Sequence, residues 1–532
     1  MKNCAQCSSP FENTDADRQF CKELDVPEPT QCWTCRQQQR LAFRNERNLY
    51  HRTCDSTGKR IVSMYSADKP LVVYDREAWW SDYWSGTDYA RDFDFNRPFF
   101  EQFAELQKVV PRVGIVNVAT VNSDYINYAG YSKNSYLIFG SVQAEDCFYG
   151  SPYYSKDCVD VERLTHSELC YKCIDSKNLY NGIYLQDSSG CSGCVFGFDL
   201  HGCHDCFGCV GLRQKEYYIF NKSYSAGDYH VLVKQFHLND RQHFDAAKKR
   251  FDELVLKSPR ISAIILKSED CVGHHIYESH NCYYGFYLER CDDCRYVNWL
   301  MDSKKCLDYE YGEELQWCAY SVGGYRLNNV KFSMANVESH DLLYSDQCFS
   351  CHDCFGCIGL RHKQYCIFNK PYSKENYFNL KSLIINHMGK TGEWGQFFPI
   401  KYSPYAYNET MAHEEYYPLT REEVLKRDWK WRDAEPEKPI ENVIFDPSIH
   451  ECQKCRHHFR LIPAEVVFYK KMGITEPVKC PLCRYHKRIK LRNPRRLFTR
   501  PCAKCSVPMQ TTYFPDRPEI IYCEKCYLKE VY

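Results

Sequence analysis

With 532 residues and 34 cysteines, the chain is too long for a single compact core and far outside the size of disulfide-stapled secreted scaffolds, so three or more domains in a reducing cytoplasm are expected. Met1 opens a polar stretch without a signal-peptide core, and no run approaches the roughly 18 apolar residues that cross a bilayer, so no membrane association is expected. Lysine plus arginine balances aspartate plus glutamate at 69 each, yet residues 1–60 carry +2, 61–450 carry −13 and 451–532 carry +11, so an anionic partner would meet the ends before the acidic body.

The first expected element is a zinc module over residues 1–84. Cys4-x2-Cys7 and Cys32-x2-Cys35 are separated by 24 residues. Each C-x2-C turn presents two thiolates on one side, and two such turns close a tetrahedral Zn2+ site of the structural kind. A helix-like segment follows, where Arg36, Arg40 and Arg44 share one face at spacings of four and Arg47 extends the basic run. The segment 79–100, with Trp79, Trp80, Trp84 and the stretch from Phe93 to Phe100, is expected to dock the N-terminal module onto the core, and residues 85–130 form an aromatic connector.

The core is duplicated. His204-Asp-Cys-Phe-Gly-Cys-Val-Gly-Leu-Arg213 recurs as His352-Asp-Cys-Phe-Gly-Cys-Ile-Gly-Leu-Arg361 at an offset of 148, and Cys158, Asp160, Glu162 and Cys170 fall on Cys306, Asp308, Glu310 and Cys318. Asp146-Cys147 matches Asp293-Cys294 after a one-residue slip. The copies span residues 131–226 and 266–373, with an amphipathic helical insertion over 227–265 that carries Phe244, Phe251 and Leu254 among charges. Within a copy, cysteines such as Cys147, Cys158 and Cys170 recur every 11 or 12 residues, each opening a short apolar run between Gly, Asn, Asp and Ser. Short strands at a fixed beat suit a stacked coil, because each rung buries its inward side only against neighbouring rungs. The expected fold class is therefore mainly β with α elements: a duplicated β-solenoid, like a right-handed parallel β-helix, flanked by treble-clef or zinc-ribbon modules at both ends.

Cys203-x2-Cys206-x2-Cys209 and Cys348-x2-Cys351-x2-Cys354-x2-Cys357 leave three readings open: inward packing as small hydrophobes at solenoid corners, zinc, or an iron–sulfur cluster. Asp160 with Glu162, and Asp308 with Glu310, share a strand face and suit either a carboxylate pair for sugar chemistry or a polar ladder between rungs. His274-His275 and His457-His458 have no ligand spacing to their neighbours and read as surface or satisfied histidines.

A helical or irregular extension over residues 374–430 and a Pro- and Glu-rich linker over 431–450 precede a second zinc module, residues 451–500, where Cys452-x2-Cys455 and Cys480-x2-Cys483 repeat the 24-residue separation. A shift of 448 matches Phe20 with Phe468, Arg36 with Arg484, Arg40 with Arg488 and Arg44 with Arg492. Pro494 should end the second helix near Arg492. From Arg484 to Arg500 there are eight basic residues and no acid, with Tyr485 and Phe498 interleaved. Arg484, Lys487, Arg488, Arg492, Arg495 and Arg496, together with Arg36, Arg40 and Arg44, are therefore candidate phosphate contacts; the bland alternative is a solvated basic face. In the C-terminal ribbon, residues 501–532, Cys502-x2-Cys505 faces Cys523-x2-Cys526 across 17 residues. The same shift puts Cys502 on Cys54, while the other three ligand positions fall on Thr57, Asp75 and Ala78. Residues 54–78 should thus keep a hairpin without metal, with Cys54 a remnant and Cys21 a packing residue. Three zinc ions are expected.

The run Cys4-Ala-Gln-Cys7, Phe20 and Cys32-Trp-Thr-Cys35-Arg36 resembles the zinc-ribbon family of treble-clef type, over about 85 residues at each end. The resemblance implies zinc bound by the cysteines and carries over no catalytic residue. Cys366-Ile-Phe-Asn-Lys370 and Gly392-Glu-Trp-Gly-Gln-Phe-Phe398 resemble large uncharacterised zinc-ribbon proteins of uncultured bacteria; the CaiB/BaiF (CoA-transferase) label carried by some of them finds no support in these residues. Walker, dinucleotide-binding, nucleophile-elbow and HExxH motifs are absent from the sequence. The expected function is non-enzymatic nucleic-acid binding, to RNA or DNA, with the basic zinc modules as phosphate clamps. The alternative is a zinc-stabilised protein-interaction scaffold, and behind both stands a β-helix enzyme.

Overall fold

The computed structural model describes residues 1–301, 306, 307, 309, 310, 321–323, 334, 339–433 and 448–531. Asp308, Cys318 and most of the 431–450 linker lie outside the described residues. The protein is mixed and strand-rich, and no helix among the described residues is long and apolar enough to cross a membrane.

Between residues 117 and 223, thirteen strands form one sheet whose pairings are parallel except for the closing one. Partners stand twelve residues apart: Cys158 faces Cys170, which faces Gly182, and Ile183, Val195, Phe207 and Ile219 follow one another in the same way. One step is eleven residues, Phe148 facing Val159. Two further sheets are six-stranded over 265–307 and four-stranded over 340–371; the first opens on an eleven-residue step, Ile265 facing Ile276, and both go on to steps of twelve, with Cys294 facing Cys306 and Cys354 facing Cys366.

A finer period of three underlies these ladders. Asp157, Asp160, Arg163, His166, Leu169 and Lys172 all have φ between 47° and 58°, and the residue after each of them is buried. Left-handed backbone costs an ordinary residue about 1–2 kcal/mol and suits Asn, Asp and Gly best, which is why these residues fill the gaps between apolar positions. Ladder bonds offset the cost: Lys172 N–H donates to Val159 O at 3.0 Å and Asp160 N–H to Phe148 O at 2.9 Å. Where the inward residue is Ser or Cys, its side chain also bonds to the backbone of the corners. Ser167 Oγ donates to Thr165 O at 2.9 Å and accepts from Leu179 N–H at 3.0 Å, and Cys191 Sγ donates to Ser189 O and Leu200 O, each at 3.4 Å. At the eleven-residue step there is no room for any side chain, since a Cβ on Gly150 would lie 1.8 Å from Val161 O.

The insertion forms helices Ala226–Lys234 and Arg241–Lys257, capped by Ser225 and Asp240. Phe244, Ala247 and Phe251, at helical spacing, are the buried face of the longer one, and Phe244 and Phe251 pack on Phe196 with ring centroids 5.3 and 6.0 Å apart. Helix Lys374–Thr391 occupies the corresponding place after the second repeat and buries Tyr377, Ile384 and Met388. The aromatic connector packs on that second repeat, with Trp79 5.1 Å from Phe349 and Phe99 5.2 Å from Phe355. Ile400, Tyr407, Ala412 and Val424 share a buried cluster with Leu41 and Ala42 of the N-terminal end.

Candidate metal centres and their arginine clamps

In both zinc modules the second C-x2-C turn opens a helix: Cys32 caps Trp33–Leu41 and Cys480 caps Pro481–Ile489, where backbone N–H groups and the helix dipole favour thiolate. The second helix ends a little earlier than Pro494 alone would require. Cys4, Cys7, Cys32 and Cys35 form one group, Cys452, Cys455, Cys480 and Cys483 a second, and Cys502, Cys505, Cys523 and Cys526 a third, with the sulfur atoms of each group within 4.8 Å of one another. Between turns, Cys7 and Cys32 are 3.8 Å apart, while Cys455–Cys480 and Cys505–Cys523 are each 3.7 Å. Tetrahedral zinc with bonds of about 2.3 Å places its sulfurs about 3.8 Å apart, so the donor sets fit zinc. Burial opposes ionisation of Cys452 and Cys502. The N–H groups of Cys455, Cys480 and Lys454 around the first, and of Cys523, Cys505 and Lys504 around the second, outweigh it and bring both thiols down to about 6. Four protein ligands leave no open position, so zinc bound there would cross-link the module rather than act on a substrate.

Residues 54–78 show the ribbon without its ligands. The hairpin Tyr50–Thr53 with Arg60–Ser63 matches Phe498–Pro501 with Pro508–Thr511. Cys54 Sγ still accepts from Thr57 N–H at 3.4 Å and Asp75 N–H at 3.2 Å, as Cys502 Sγ does from Lys504 N–H at 3.5 Å and Cys523 N–H at 3.2 Å. Thr57 Oγ1 donates to Asp75 Oδ2 at 2.8 Å, and Asp75 Oδ1 accepts from Ala78 N–H at 2.8 Å. Hydrogen bonds stand where a metal would. Combining Thr57→Cys, Asp75→Cys and Ala78→Cys is therefore expected to raise the zinc content, by elemental analysis, by one ion over that of the natural chain, for which the three tetrads predict three; an unchanged count would mean that the hairpin has lost the site's geometry as well as its ligands.

The arginine stripes are turned inward, not toward an external phosphate. Arg36, Arg40, Arg44, Arg484, Arg488 and Arg495 are buried and Arg492 is half-buried. Arg484 and Arg488 reach Asp160 at 2.9 and 2.6 Å, and Arg492 reaches Asp175 at 3.2 Å. Arg40 and Arg495 take the two oxygens of Glu310 at 3.1 and 3.0 Å, and Arg47 takes Glu162 at 2.6 Å. Arg44 pairs with Glu46 at 2.6 Å and Arg36 donates to Gln31 O at 2.7 Å. The acidic core supplies the counter-charges of Arg40, Arg484, Arg488, Arg492 and Arg495, and of the candidate phosphate contacts only Lys487 and Arg496 are exposed. Asp160 and Glu162 accordingly serve as anchors for separate arginines, not as a carboxylate pair facing a substrate. Burial alone would raise the Asp160 carboxyl, but Arg484 and Arg488 hold it below the usual carboxylate range.

The two ends dock crosswise in equivalent ways. Asp17 accepts from Tyr296 Oη at 3.1 Å while Arg36 lies 5.2 Å from the Tyr296 ring. Glu465 accepts from Tyr149 Oη at 2.6 Å while Arg484 lies 4.5 Å from the Tyr149 ring. The 448-residue shift converts Asp17 to Glu465 and Arg36 to Arg484, and the core repeat with its slip converts Tyr149 to Tyr296. Through these contacts each module reaches the repeat farther from it in sequence. Arg47 with Glu162 and Arg495 with Glu310 are related by the same shifts but join each module to the nearer repeat.

Cys203, Cys206, Cys209, Cys348, Cys351, Cys354 and Cys357 are buried, and their thiols bond to corner carbonyls, as Cys203 does to His201 O at 3.6 Å and Leu212 O at 3.4 Å. Among the described residues they form no group with three sulfurs in metal-ligand range. His457 and His458 are exposed, whereas His274 and His275 are buried. Burial, with Arg492 and Arg163 nearby, brings His275 down to about 3, so its imidazole is neutral. One cluster escaped the sequence reading: Asp175, Asp187 and His275 converge beside a cavity of about 260 Å³. They come from different repeats, and the twelve-residue interval between the aspartates was the only signal of it. Comparison of the chain with protein-family models, curated proteins and solved structures gives no match. The zinc assignment therefore rests on the geometry of the tetrads.

Proposed function

We propose that the chain is a zinc-stabilised protein-interaction scaffold of the reducing cytoplasm, with a duplicated β-solenoid over residues 131–226 and 266–373 that is gripped by the zinc modules at 1–84 and 451–500 and the ribbon at 501–532. The destination of the arginines carries this reading: residues that could have clamped phosphate are consumed by the core's own carboxylates. The zinc modules then work inside the molecule, and a partner must be met elsewhere. The first rungs offer a surface, since Val118, Val121, Tyr125 and Tyr131 are exposed and strand Asn117–Val118 is paired on one side only among the described residues. An open strand edge with exposed apolar side chains is a template for an extended peptide. Nucleic-acid binding, the rival reading, retains Lys487, Lys490 and Arg496 as exposed cations.

Fluorescence anisotropy with short RNA and DNA, on the natural chain and on Lys487→Glu with Arg496→Glu, separates the two. Expected is only weak, salt-sensitive binding, with Kd no tighter than about 10⁻⁶ M, little changed by the charge reversals, and a discrete protein adduct from a photo-crosslinker at Val121 that Tyr125→Asp abolishes. Nanomolar nucleic-acid binding that the charge reversals remove would reverse the assignment.

A further inference from the structure

Asp175 and Asp187 occupy left-handed corners, φ 47° and 51°, one twelve-residue step apart, and Asp199 continues the column. Asp175 is paired with Arg492 at 3.2 Å and Asp199 with Arg213 at 2.9 Å. Asp187, between them, has among the described residues only His275 Nε2 as an ion-pair partner, at 3.5 Å. His275 comes from the other repeat, and its position is fixed: its ring stacks on Tyr287 with centroids 4.7 Å apart, and Nδ1 is 3.2 Å from Tyr277 Oη. Nε2 is left facing the carboxylates.

We propose that Asp175, Asp187 and His275 bind a divalent cation whose remaining coordination positions open into the adjoining cavity. One donor atom from each residue lies within 4.8 Å of the others. Asp175 Oδ1 is buried with no hydrogen-bond partner, on a side chain only 3% exposed that lines the cavity. The 3.5 Å between His275 Nε2 and Asp187 Oδ1 is long for a hydrogen bond, but two ligands about 2.1 Å from a tetrahedral ion stand about 3.4 Å apart. Stacked, buried carboxylates repel one another, and a cation relieves that repulsion. Tyr277 holding Nδ1 is the outer partner that orients a metal-binding imidazole. Two oxygens and one imidazole nitrogen suit Mn2+, Fe2+, Co2+ or Zn2+ and not the soft ions that prefer thiolate. The group also exists in one half only. The repeat offsets carry Asp175 and Asp187 to Gly323 and Ala335, and His275 to Tyr128, so folding of a repeat does not require it.

Mn2+ is the probe of choice, because thiolate tetrads hold zinc in preference to it. With the full chain and its tetrads filled with zinc, electron paramagnetic resonance of free Mn2+ should count one bound ion per chain. Asp187→Asn and His275→Gln should each weaken that binding at least about 10-fold, and Tyr277→Phe about 10-fold, with the zinc content and melting temperature of the purified variants unchanged. In the natural chain, Mn2+ should broaden the methyl signals of Ile264, Leu266 and Leu288, which line the cavity, before methyl signals elsewhere. Absence of stoichiometric Mn2+ binding together with absence of a further zinc ion after Zn2+ loading overturns the site, as does binding that both ligand variants leave intact or broadening that misses these three residues.

Discussion

Chelation under reducing conditions is expected to strip three zinc ions and unfold the terminal modules while the parallel ladders between residues 158 and 219 stay folded. The C-terminal module shows why. Its buried cluster consists of Cys452, Cys480 and Cys483 with only Phe459 and Leu461, so the ligands are most of its core. Without the ion, four sulfurs remain within 4.8 Å of one another, and ionised thiols at that distance repel. Structural zinc contributes about 10–16 kcal/mol, comparable to or larger than the whole stability of an ordinary domain, about 5–15 kcal/mol. The ladders need no such ion, since each rung buries its inward Ser, Cys and Leu residues against the next. Hydrogen exchange with elemental analysis reads both halves of this expectation. Loss of protection at the ends alone, with three ions released, supports it. Simultaneous exchange at Cys170, Ile183 and Val195 would show instead that the core depends on the metal, and five or more metals per chain would place ions among the core cysteines.

Asp160→Asn is expected to destabilise the chain by about 3–5 kcal/mol, because it leaves Arg484 and Arg488 as buried cations without their shared partner. Denaturant unfolding measures the loss, and a double-mutant cycle with Arg488→Met should show that the two changes together cost less than their sum. The pH dependence has a definite sign. Asp160 is held below its unfolded value of about 3.9, so its contribution is fully present above that pH and disappears as pH falls through the lower folded value. Glu310 behaves oppositely: burial raises it despite Arg40 and Arg495, so its share falls as pH rises from its unfolded value of about 4.3 through the folded one. The acid-induced loss of stability below about pH 4 should therefore be shallower in Asp160→Asn than in the natural chain. An unchanged acid limb and a cost under about 1 kcal/mol would reduce the Asp160 pairs to the worth of surface ion pairs.

The sequence by itself determined what depends on spacing. Cys4 to Cys35 and Cys452 to Cys483 could be read as metal tetrads because zinc demands two turns of paired thiolates, and turns are local. The lost ligands at Thr57, Asp75 and Ala78 were legible for the same reason, since a duplication makes each missing cysteine visible against its copy. The eleven- and twelve-residue beat gave the ladder step. Its finer period of three was only half visible, as Cys203, Cys206 and Cys209, because the left-handed residue before an inward one is Asp, Arg, His or Leu at some corners and Gly at others.

Tertiary structure alone decided where the arginines point. A stripe such as Arg484, Arg488 and Arg492 has the same pattern whether it faces water, a phosphate or a buried carboxylate; the answer lies in Asp160 and Asp175, more than 300 residues away. The crosswise docking of the ends, and the meeting of His275 with Asp175 and Asp187, are likewise contacts between segments whose sequences carry no mark of one another. Long-range partners are set by how folded surfaces fit, and local spacing holds no record of that fit.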